Sequence, residues 1–216
     1  MTEQTIVHLV RHGLVHNPTG VLYGRLPDFH LSDVGVKMAE RVADSFAGHD
    51  VAAVVSSPLE RAQETAAPIA AAFDVSITID DRLIETENHF EGMTFGVGDG
   101  SLRKPQHWPY LWNPFRPSWG EPYEKVAARM LAAAAAARDL APGHEIVCVS
   151  HQLPIWTVRQ KIEGNHLWHD PRKRQCGLAS VTSIRYEGDK IRSLSYREPA
   201  ADLVPPKAGK GFSAGA

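Results

Sequence analysis

Short apolar runs that alternate with helical patterns constrain the fold of this 216-residue chain most strongly. Apolar runs at 6–10, 51–55 and 146–149, which are continuous apart from His8 in the first, are typical of strands buried on both faces of a sheet. Strands that alternate with helices predict an α/β fold with a mostly parallel sheet and helices on both faces. Two late segments, 179–186 and 191–196, flank the turn "EGDK" and predict a hairpin with an antiparallel edge strand.

The remaining pattern predicts one domain over 1–198. Ser32 is a candidate N-cap for a helix that reaches about residue 46, and Pro58 is expected at the start of the next helix, which Pro68 should kink or shorten. Further helices are predicted over about 121–140 and 154–162, with a strand over 75–79. The segment 85–122 is rich in Gly, Pro and aromatic residues and predicts a loop excursion over the active site. Residues 199–216 are predicted to form a disordered tail.

Composition and charge exclude several classes of protein. A formal charge of −2 leaves no basic field for binding nucleic acid. The chain has two cysteines and no CxxC pair, which argues against a disulfide scaffold or a structural zinc site and suits a reducing cytoplasm. Since the first residues lack a signal-peptide pattern and "MLAAAAAA" is too short to span a bilayer, we expect a cytoplasmic protein without membrane association.

Chemically active side chains follow the predicted strands. Arg11 and His12 come after the first strand, Arg61 lies one turn into the helix after the second, and His151 follows the run "IVCV". Ligands of parallel α/β sheets bind beyond the carboxyl ends of the strands, so we expect these groups to converge on one rim, near the carboxylate of Glu85 or Glu87. Arginine forks, helix N-termini and imidazoles together predict a phosphoryl-transfer site.

These residues resemble the histidine phosphatase superfamily, also called the phosphoglycerate mutase-like family. The likeness rests on "LVRHG", "SSPLERAQETA", "RLIE" and "VSH" and spans about residues 6–186. It implies a three-layer α/β/α sandwich in which His12 is the nucleophile and forms a phosphohistidine. Arg11, Arg61 and His151 would bind the phosphoryl group, with Asn17 often helping. Glu85 would protonate the leaving group, and no metal or other cofactor is required.

Two departures from the family pattern leave alternatives open. The family usually has glycine after the second histidine, whereas this chain has Gln152, whose backbone N–H could still bind phosphate. The stretch "TENHFEGMTFG" is displaced by about one position from the sequence that the family commonly has after its acid. The acid could therefore be Glu85 or Glu87, and the register of "RL-x-E" favours Glu85. Asn17 could instead be a turn residue before Pro18. Arg25 in "YGR" is a candidate contact for a second anion. The aromatic residues of 107–119 could either pack a loop onto the body or form a lid.

The predicted function is hydrolysis of a small phosphomonoester by a metal-independent, acid-type histidine phosphatase. A phosphoglycerate mutase-type phosphotransferase and a non-catalytic phosphate-binding module on the same fold are the alternatives, with a metallohydrolase behind them. The expected partner is a small phosphorylated metabolite, and a homodimer is possible.

Overall fold

A computed structural model describes residues 4–94, 105–110 and 119–205. In this part of the chain, six strands form one sheet in the order β3-β2-β4-β1-β5-β6. β1 to β4 are mutually parallel, whereas β5 pairs antiparallel with both β1 and β6. The predicted α/β class, the mostly parallel sheet and the antiparallel hairpin at one edge are therefore confirmed. The strands are β1 Gln4–Arg11, β2 Val51–Ser56, β3 Ile77–Ile79, β4 Glu145–Ser150, β5 Val181–Glu187 and β6 Lys190–Arg197.

In the described ranges, four α-helices cover the two faces of the sheet. They are α1 Asp33–Asp44, α2 Glu60–Ala72, α3 Tyr123–Leu140 and α4 Gln152–Ile162. Short 3-10 turns lie at Asp81–Leu83, Pro105–Tyr110, Pro171–Lys173 and Ala201–Leu203. Ser32 caps α1 as predicted, because its hydroxyl accepts a hydrogen bond from the Gly35 N–H at 3.1 Å. None of the helices in the described ranges is long and apolar enough to cross a membrane.

Alternation along β1 divides the core into two layers. Val10 packs with Met38 of α1 and Ile69 of α2 on one face. Val7 and Leu9 pack on the opposite face with side chains of α3 and α4. Because both faces of β1 are buried, this central strand holds the residues that follow it in a fixed position.

The structure differs from the sequence prediction at several boundaries. α2 begins at Glu60, two residues after Pro58, and continues past Pro68, so the prediction that Pro68 shortens it is wrong. Pro68 has no backbone N–H to donate within the helix. Burial of Ala66 and Ile69 in the core stabilises the helix in spite of this missing hydrogen bond. β3 covers three residues rather than five.

The described chain also continues in an ordered form beyond residue 198, where the sequence predicts a disordered tail. Ala200 is fully buried, Ala201–Leu203 forms a 3-10 turn, and Leu203 and Val204 pack against the core. The predicted tail is therefore wrong for its first residues, because apolar side chains anchor them. The rest of the tail, 206–216, lies outside the described residues.

Much of the predicted excursion over 85–122 also lies outside the described residues, including 95–104 and 111–118. The described Trp108 is exposed in the Pro105–Tyr110 turn. The predicted alternatives for the aromatic segment 107–119, a lid or a loop packed onto the body, therefore fall mostly outside the described residues.

Candidate active site

The ends of β1, β2 and β4 meet at one rim, as the sequence predicts. The His12 N–H donates to the Ser150 carbonyl at 3.1 Å, and the Ser57 N–H donates to the Val149 carbonyl at 2.9 Å. These bonds extend the parallel pairing by one residue beyond each strand. The rings of His12 and His151 consequently lie with their centroids 5.2 Å apart.

Because Gly13 has no side chain, the loop after β1 can pass directly against the first turn of α1. A Cβ atom on Gly13 would lie 2.6 Å from the Gly35 carbonyl oxygen, which is closer than real Cβ contacts. The Gly13 N–H donates to the hydroxyl of Thr65 at 3.1 Å, and that hydroxyl donates to the Arg61 carbonyl at 2.7 Å. The same loop therefore connects the residue after His12 to the helix that carries Arg61.

His12 is fully buried and has one free ring nitrogen. Its Nδ1 lies 2.8 Å from the carbonyl of Gly13, which can only accept, so Nδ1 carries the proton and Nε2 carries a lone pair. Nε2 has no hydrogen-bond partner among the described residues. Burial lowers the pKa of His12 well below its ordinary value, and the positive charges of Arg61 and Arg11 lower it further. The ring is therefore neutral at pH 7, with its lone pair available.

Arg11 and Arg61 present buried guanidinium groups beside His12. Nη1 of Arg11 donates to the Cys176 carbonyl at 2.8 Å, and Nη2 of Arg61 donates to the Gly24 carbonyl. The Arg61 guanidinium also stacks on the ring of Tyr23, 4.7 Å from its centroid. Each arginine keeps two buried nitrogens without a partner in the described ranges: Nε and Nη2 of Arg11, and Nε and Nη1 of Arg61. These four donors are available to oxygen atoms of a ligand.

His151 faces the same space from the end of β4. Its Nε2 lies 2.8 Å from the hydroxyl of Ser57, while its Nδ1 is buried and unpartnered within the described chain. Burial lowers the pKa of His151 well below its usual range, and the charge of Arg61 and the nearby His12 add to this effect. The hydroxyl of Ser57 thus orients His151 so that Nδ1 is the free nitrogen.

Glu85 is buried and carries one free carboxylate oxygen. Its Oε1 accepts from the N–H of Thr86 at 2.7 Å, whereas its Oε2 has no partner in the described part of the chain. Burial raises the pKa of Glu85, and the Thr86 hydrogen bond and the charge of Arg61 oppose this only in part. This carboxyl group is accordingly biased toward its protonated form.

Three side chains from different elements hold the backbone around Glu85. Ser150 donates to the Leu83 carbonyl at 2.6 Å, and Arg129 of α3 donates to the Ile84 carbonyl at 2.7 Å. Arg25 donates through Nε to the carbonyl of Glu85 itself at 2.7 Å. The carboxyl group is therefore well positioned although its segment is irregular.

Glu87 and Arg25 are occupied with each other. The Glu87 side chain is 67% exposed and pairs with Nη1 of Arg25 at 2.9 Å. Nη2 of Arg25 lies 3.3 Å from the buried carboxylate of Glu121. Arg25 thus contacts two carboxylates and the Glu85 carbonyl, while the predicted second-anion contact stays a prediction.

Asn17 and Gln152 also have partners within the protein. Asn17 closes its own turn, since its amide donates to the Val21 carbonyl at 2.8 Å and accepts from the Val21 N–H at 3.2 Å. Asn17 therefore forms a turn, and its predicted contact with phosphate stays a prediction. Gln152 bridges the Cys176 carbonyl and Nη1 of Arg174, at 3.3 Å each. Its side chain lies at the rim but is used to connect neighbouring groups.

Sequence reasoning missed several members of this site. Ser57 and Tyr23 lie in quoted motifs, but only the fold shows that they orient His151 and Arg61. The Cys176 carbonyl has no signal in sequence because it is a backbone group. Arg174 belongs to the run "RKR", which is more often a solvated loop.

A second histidine cluster lies away from this rim. His8 donates or accepts at both ring nitrogens, 2.8 Å from the Ser183 hydroxyl and 2.8 Å from Oε2 of Glu145. His49 contacts the same Glu145 oxygen at 2.7 Å. The three ligand atoms lie within 4.8 Å of one another, but as they stand they form a hydrogen-bonded set.

The comparison with known families agrees with this arrangement. The family model of the histidine phosphatase superfamily (branch 1) matches residues 7–199. The chain belongs to this superfamily. A similar member is the uncharacterized protein Rv0525 of Mycobacterium tuberculosis, 59% identical over 93% of this chain and 100% of that protein. A probable phosphoglycerate mutase of Yersinia pestis is 27% identical over 81% of this chain and 83% of its own length.

Solved structures of this histidine phosphatase fold cover most of the chain. A Bacillus stearothermophilus protein, YhfR, is 26% identical with a TM-score of 0.72, covering 87% of this chain and 94% of that one. Mycobacterial glucosyl-3-phosphoglycerate phosphatase is 22% identical with a TM-score of 0.71, covering 90% of this chain and 98% of its own. The latter likeness concerns the fold alone.

Proposed function

We propose that this histidine phosphatase-superfamily protein hydrolyses a small phosphomonoester through a phosphohistidine at His12. The observation that carries the proposal is the free, buried Nε2 of His12 beside buried nitrogens of Arg11, Arg61 and His151 that lack partners in the described chain. An unsatisfied buried donor costs about 1–3 kcal/mol, so a group of them favours binding of an oxyanion. Phosphorylated substrates of structural relatives, such as phosphoserine, agree with this class.

The first step transfers the phosphoryl group to His12. The lone pair on Nε2 forms a bond to phosphorus while the bond to the ester oxygen breaks. Arg11 and Arg61 bind the equatorial oxygens, and their fixed positive charge stabilises the transition state. Glu85 donates its proton to the departing oxygen, which leaves as a neutral alcohol.

The second step regenerates the enzyme. The Glu85 carboxylate takes a proton from water while the water oxygen attacks phosphorus and the P–N bond breaks. Inorganic phosphate leaves, and His12 and Glu85 return to their starting protonation states. The residues named supply all the proton transfers, so the proposed cycle uses no metal or other cofactor.

Trapping of the intermediate tests this proposal. After a brief reaction with labelled phosphomonoester and a denaturing quench, we expect acid-labile, base-stable label on His12 and loss of both label and turnover in His12→Asn. Because His8 is also buried but lies outside the site, His8→Asn is the matched control and should retain the label. Normal turnover of p-nitrophenyl phosphate by His12→Asn would contradict the mechanism.

The same preparation separates a hydrolase from a mutase. A hydrolase releases inorganic phosphate from 3-phosphoglycerate or another monoester without added bisphosphoglycerate. Bisphosphoglycerate-dependent formation of 2-phosphoglycerate without release of phosphate would instead identify a mutase.

A further inference from the structure

The second histidine cluster, formed by His8, His49 and Glu145, lies toward the end of the sheet opposite the candidate active site. That site is built at the carboxyl ends of the parallel strands, whereas Glu145 is the first residue of β4 and His49 precedes β2. Oε2 of Glu145 lies 2.8 Å from Nε2 of His8 and 2.7 Å from Nδ1 of His49. Two imidazoles and a carboxylate thus converge on one point outside the site already described, with their three atoms within 4.8 Å of one another.

The backbone brings these three side chains together. Glu145 pairs with Ile6 in the parallel register of β1 and β4. Its side chain therefore lies on the same face of the sheet as that of His8, which is two residues further along β1. The Glu145 N–H donates to the Asp50 carbonyl at 2.9 Å, which holds the loop that carries His49 against the start of β4. Two of the three groups are thus fixed by the sheet, and the third is tied to it.

The carboxylate between the two rings occupies the position of a shared ligand. A carboxylate oxygen only accepts hydrogen bonds, so each ring nitrogen that faces Oε2 carries a proton in the hydrogen-bonded set. A divalent cation can take the place of these two protons, because a neutral ring can carry its proton on the other nitrogen instead. For His8 the other nitrogen is Nδ1, which lies 2.8 Å from the Ser183 hydroxyl and can donate to it. Metal-ligating histidines are oriented by a contact of this kind.

Burial shelters the cluster and leaves one side of it open. The side chains of His8 and Glu145 are 4% and 19% exposed, whereas that of His49 is 37% exposed. The buried ring of Phe46 lies edge-on to both imidazoles, with its centroid 5.0 Å from that of His8 and 5.4 Å from that of His49. An ion can therefore enter on the side of His49. The positive charge of Arg197 acts on both His8 and Glu145 and opposes a cation, which the negative charge of Glu145 offsets.

The donor set selects the class of ion. Two imidazole nitrogens and one carboxylate oxygen suit zinc and related transition metals, whereas Mg²⁺ and Ca²⁺ take mostly oxygen ligands. A tetrahedral zinc ion about 2.0–2.1 Å from each ligand holds the ligand atoms about 3.3 Å apart. The two contacts to Oε2 of Glu145 would have to lengthen slightly, which the exposed ring of His49 permits. Three protein ligands leave a fourth position for water.

We infer that His8, His49 and Glu145 bind a divalent transition-metal ion, with zinc as the best fit, and that Ser183 is a positioning residue for His8. The lack of CxxC pairs does not bear on this site, because none of its ligands is a cysteine. The ion would connect β1, β4 and the loop before β2, so we expect it to act on stability. The inference is independent of the proposed phosphatase function, whose cycle uses none of these residues.

Metal titration tests the inference. The protein is treated with a chelator, freed of the chelator by dialysis, and titrated with zinc by calorimetry. A parallel titration with cobalt(II) reports coordination by the protein through its visible spectrum. We expect one zinc ion per chain and a melting temperature that rises with zinc concentration, because the ion binds the folded state. Absence of saturable zinc binding to the wild type would overturn the inference.

Variants identify the ligands. His49→Gln should weaken zinc binding by more than about 100-fold, since loss of an outer-shell partner alone costs about 10- to 100-fold, the loss expected for Ser183→Ala. His30→Gln is the matched control, because His30 is also an exposed histidine beside a carboxylate, that of Glu64, and it should bind zinc as the wild type does. His12→Asn should do so as well. Unchanged binding by His49→Gln, or loss of binding in His12→Asn, would overturn the inference, and unchanged binding by Ser183→Ala would overturn the positioning role.

Discussion

At the scale of single residues, burial shifts two catalytic candidates in opposite and useful directions. The pKa of His12 is lowered by burial and by two arginines, which keeps its nitrogen unprotonated. The pKa of Glu85 is raised by burial, which favours the protonated form that a general acid needs. Burial thus moves the pKa values of the two groups in the directions that suit a nucleophile and a general acid. Glu87, exposed and paired with Arg25, lacks this environment.

Substitution of the acid tests this assignment. We expect Glu85→Gln to lower kcat/KM for alkyl phosphates by about 10²- to 10⁴-fold, the range for loss of a general acid. The loss in the first step should be smaller for p-nitrophenyl phosphate, because its leaving group is stable as an anion. Since the same variant lacks the base for the second step, it should accumulate phosphohistidine, which quenched-flow labelling measures.

Glu87→Gln is the matched control, two residues away on the same segment. It should lower kcat/KM by less than tenfold and should not accumulate the intermediate. If Glu87→Gln shows the large leaving-group-dependent loss and Glu85→Gln does not, the acid is Glu87.

At the scale of elements, the site depends on close backbone approach where strands become loops. Gly13, the residue after His12, packs directly against the first turn of α1. Both residues at this contact are glycines, Gly13 and Gly35. A Cβ on Gly35 would lie 2.0 Å from the Leu14 carbonyl oxygen. Close packing against α1 is therefore the reason that the structure gives for a glycine at position 13.

Gly13→Ala should therefore destabilise the fold and displace His12. We expect the free energy of unfolding to fall by about 1–3 kcal/mol, the usual cost of overpacking, together with kcat. Urea denaturation and turnover of p-nitrophenyl phosphate measure the two effects. Gly177→Ala is the control, because its Cβ would meet the movable carboxylate of Glu198 at 3.1 Å rather than backbone. An equal loss in both variants would contradict the packing argument.

The same scale shows what sequence can and cannot predict here. Apolar runs with period and length typical of buried strands predict β1, β2 and β4, and the strand-end rule predicts that His12 and His151 meet. The pattern cannot show that Pro68 lies inside a helix, because the compensating burial comes from residues distant in sequence. It also misses Arg174, since a short turn has no periodicity and only tertiary contacts distinguish it from Arg172.

At the scale of the whole molecule, a site built from buried neutral bases makes stability depend on pH. Burial lowers the pKa values of His8, His12 and His151 in the folded protein. In the unfolded chain each would bind a proton as pH falls through about 6.5. The unfolded state then holds more protons, so the free energy of unfolding falls with pH below that value. Glu85 opposes this trend. Because its pKa is raised, the folded state binds this proton more strongly than the unfolded state does above about pH 4.5.

We therefore expect a net loss of stability between about pH 6.5 and 5, because the groups with lowered pKa values outnumber those with raised ones. The lowered groups are His8, His12, His151 and His169, and the raised groups are Glu85 and His30. Urea denaturation at closely spaced pH values measures the slope, which is about 1.4 kcal/mol per pH unit for each proton. His12→Asn removes one of these protons from the unfolded state and should make the slope shallower by up to that amount. His144→Asn is the matched control variant, because it replaces an exposed histidine that pairs with the exposed Asp50. A slope in His12→Asn equal to that of the wild type would mean that His12 binds its proton equally well in the folded and unfolded states, which would contradict the lowered pKa of His12.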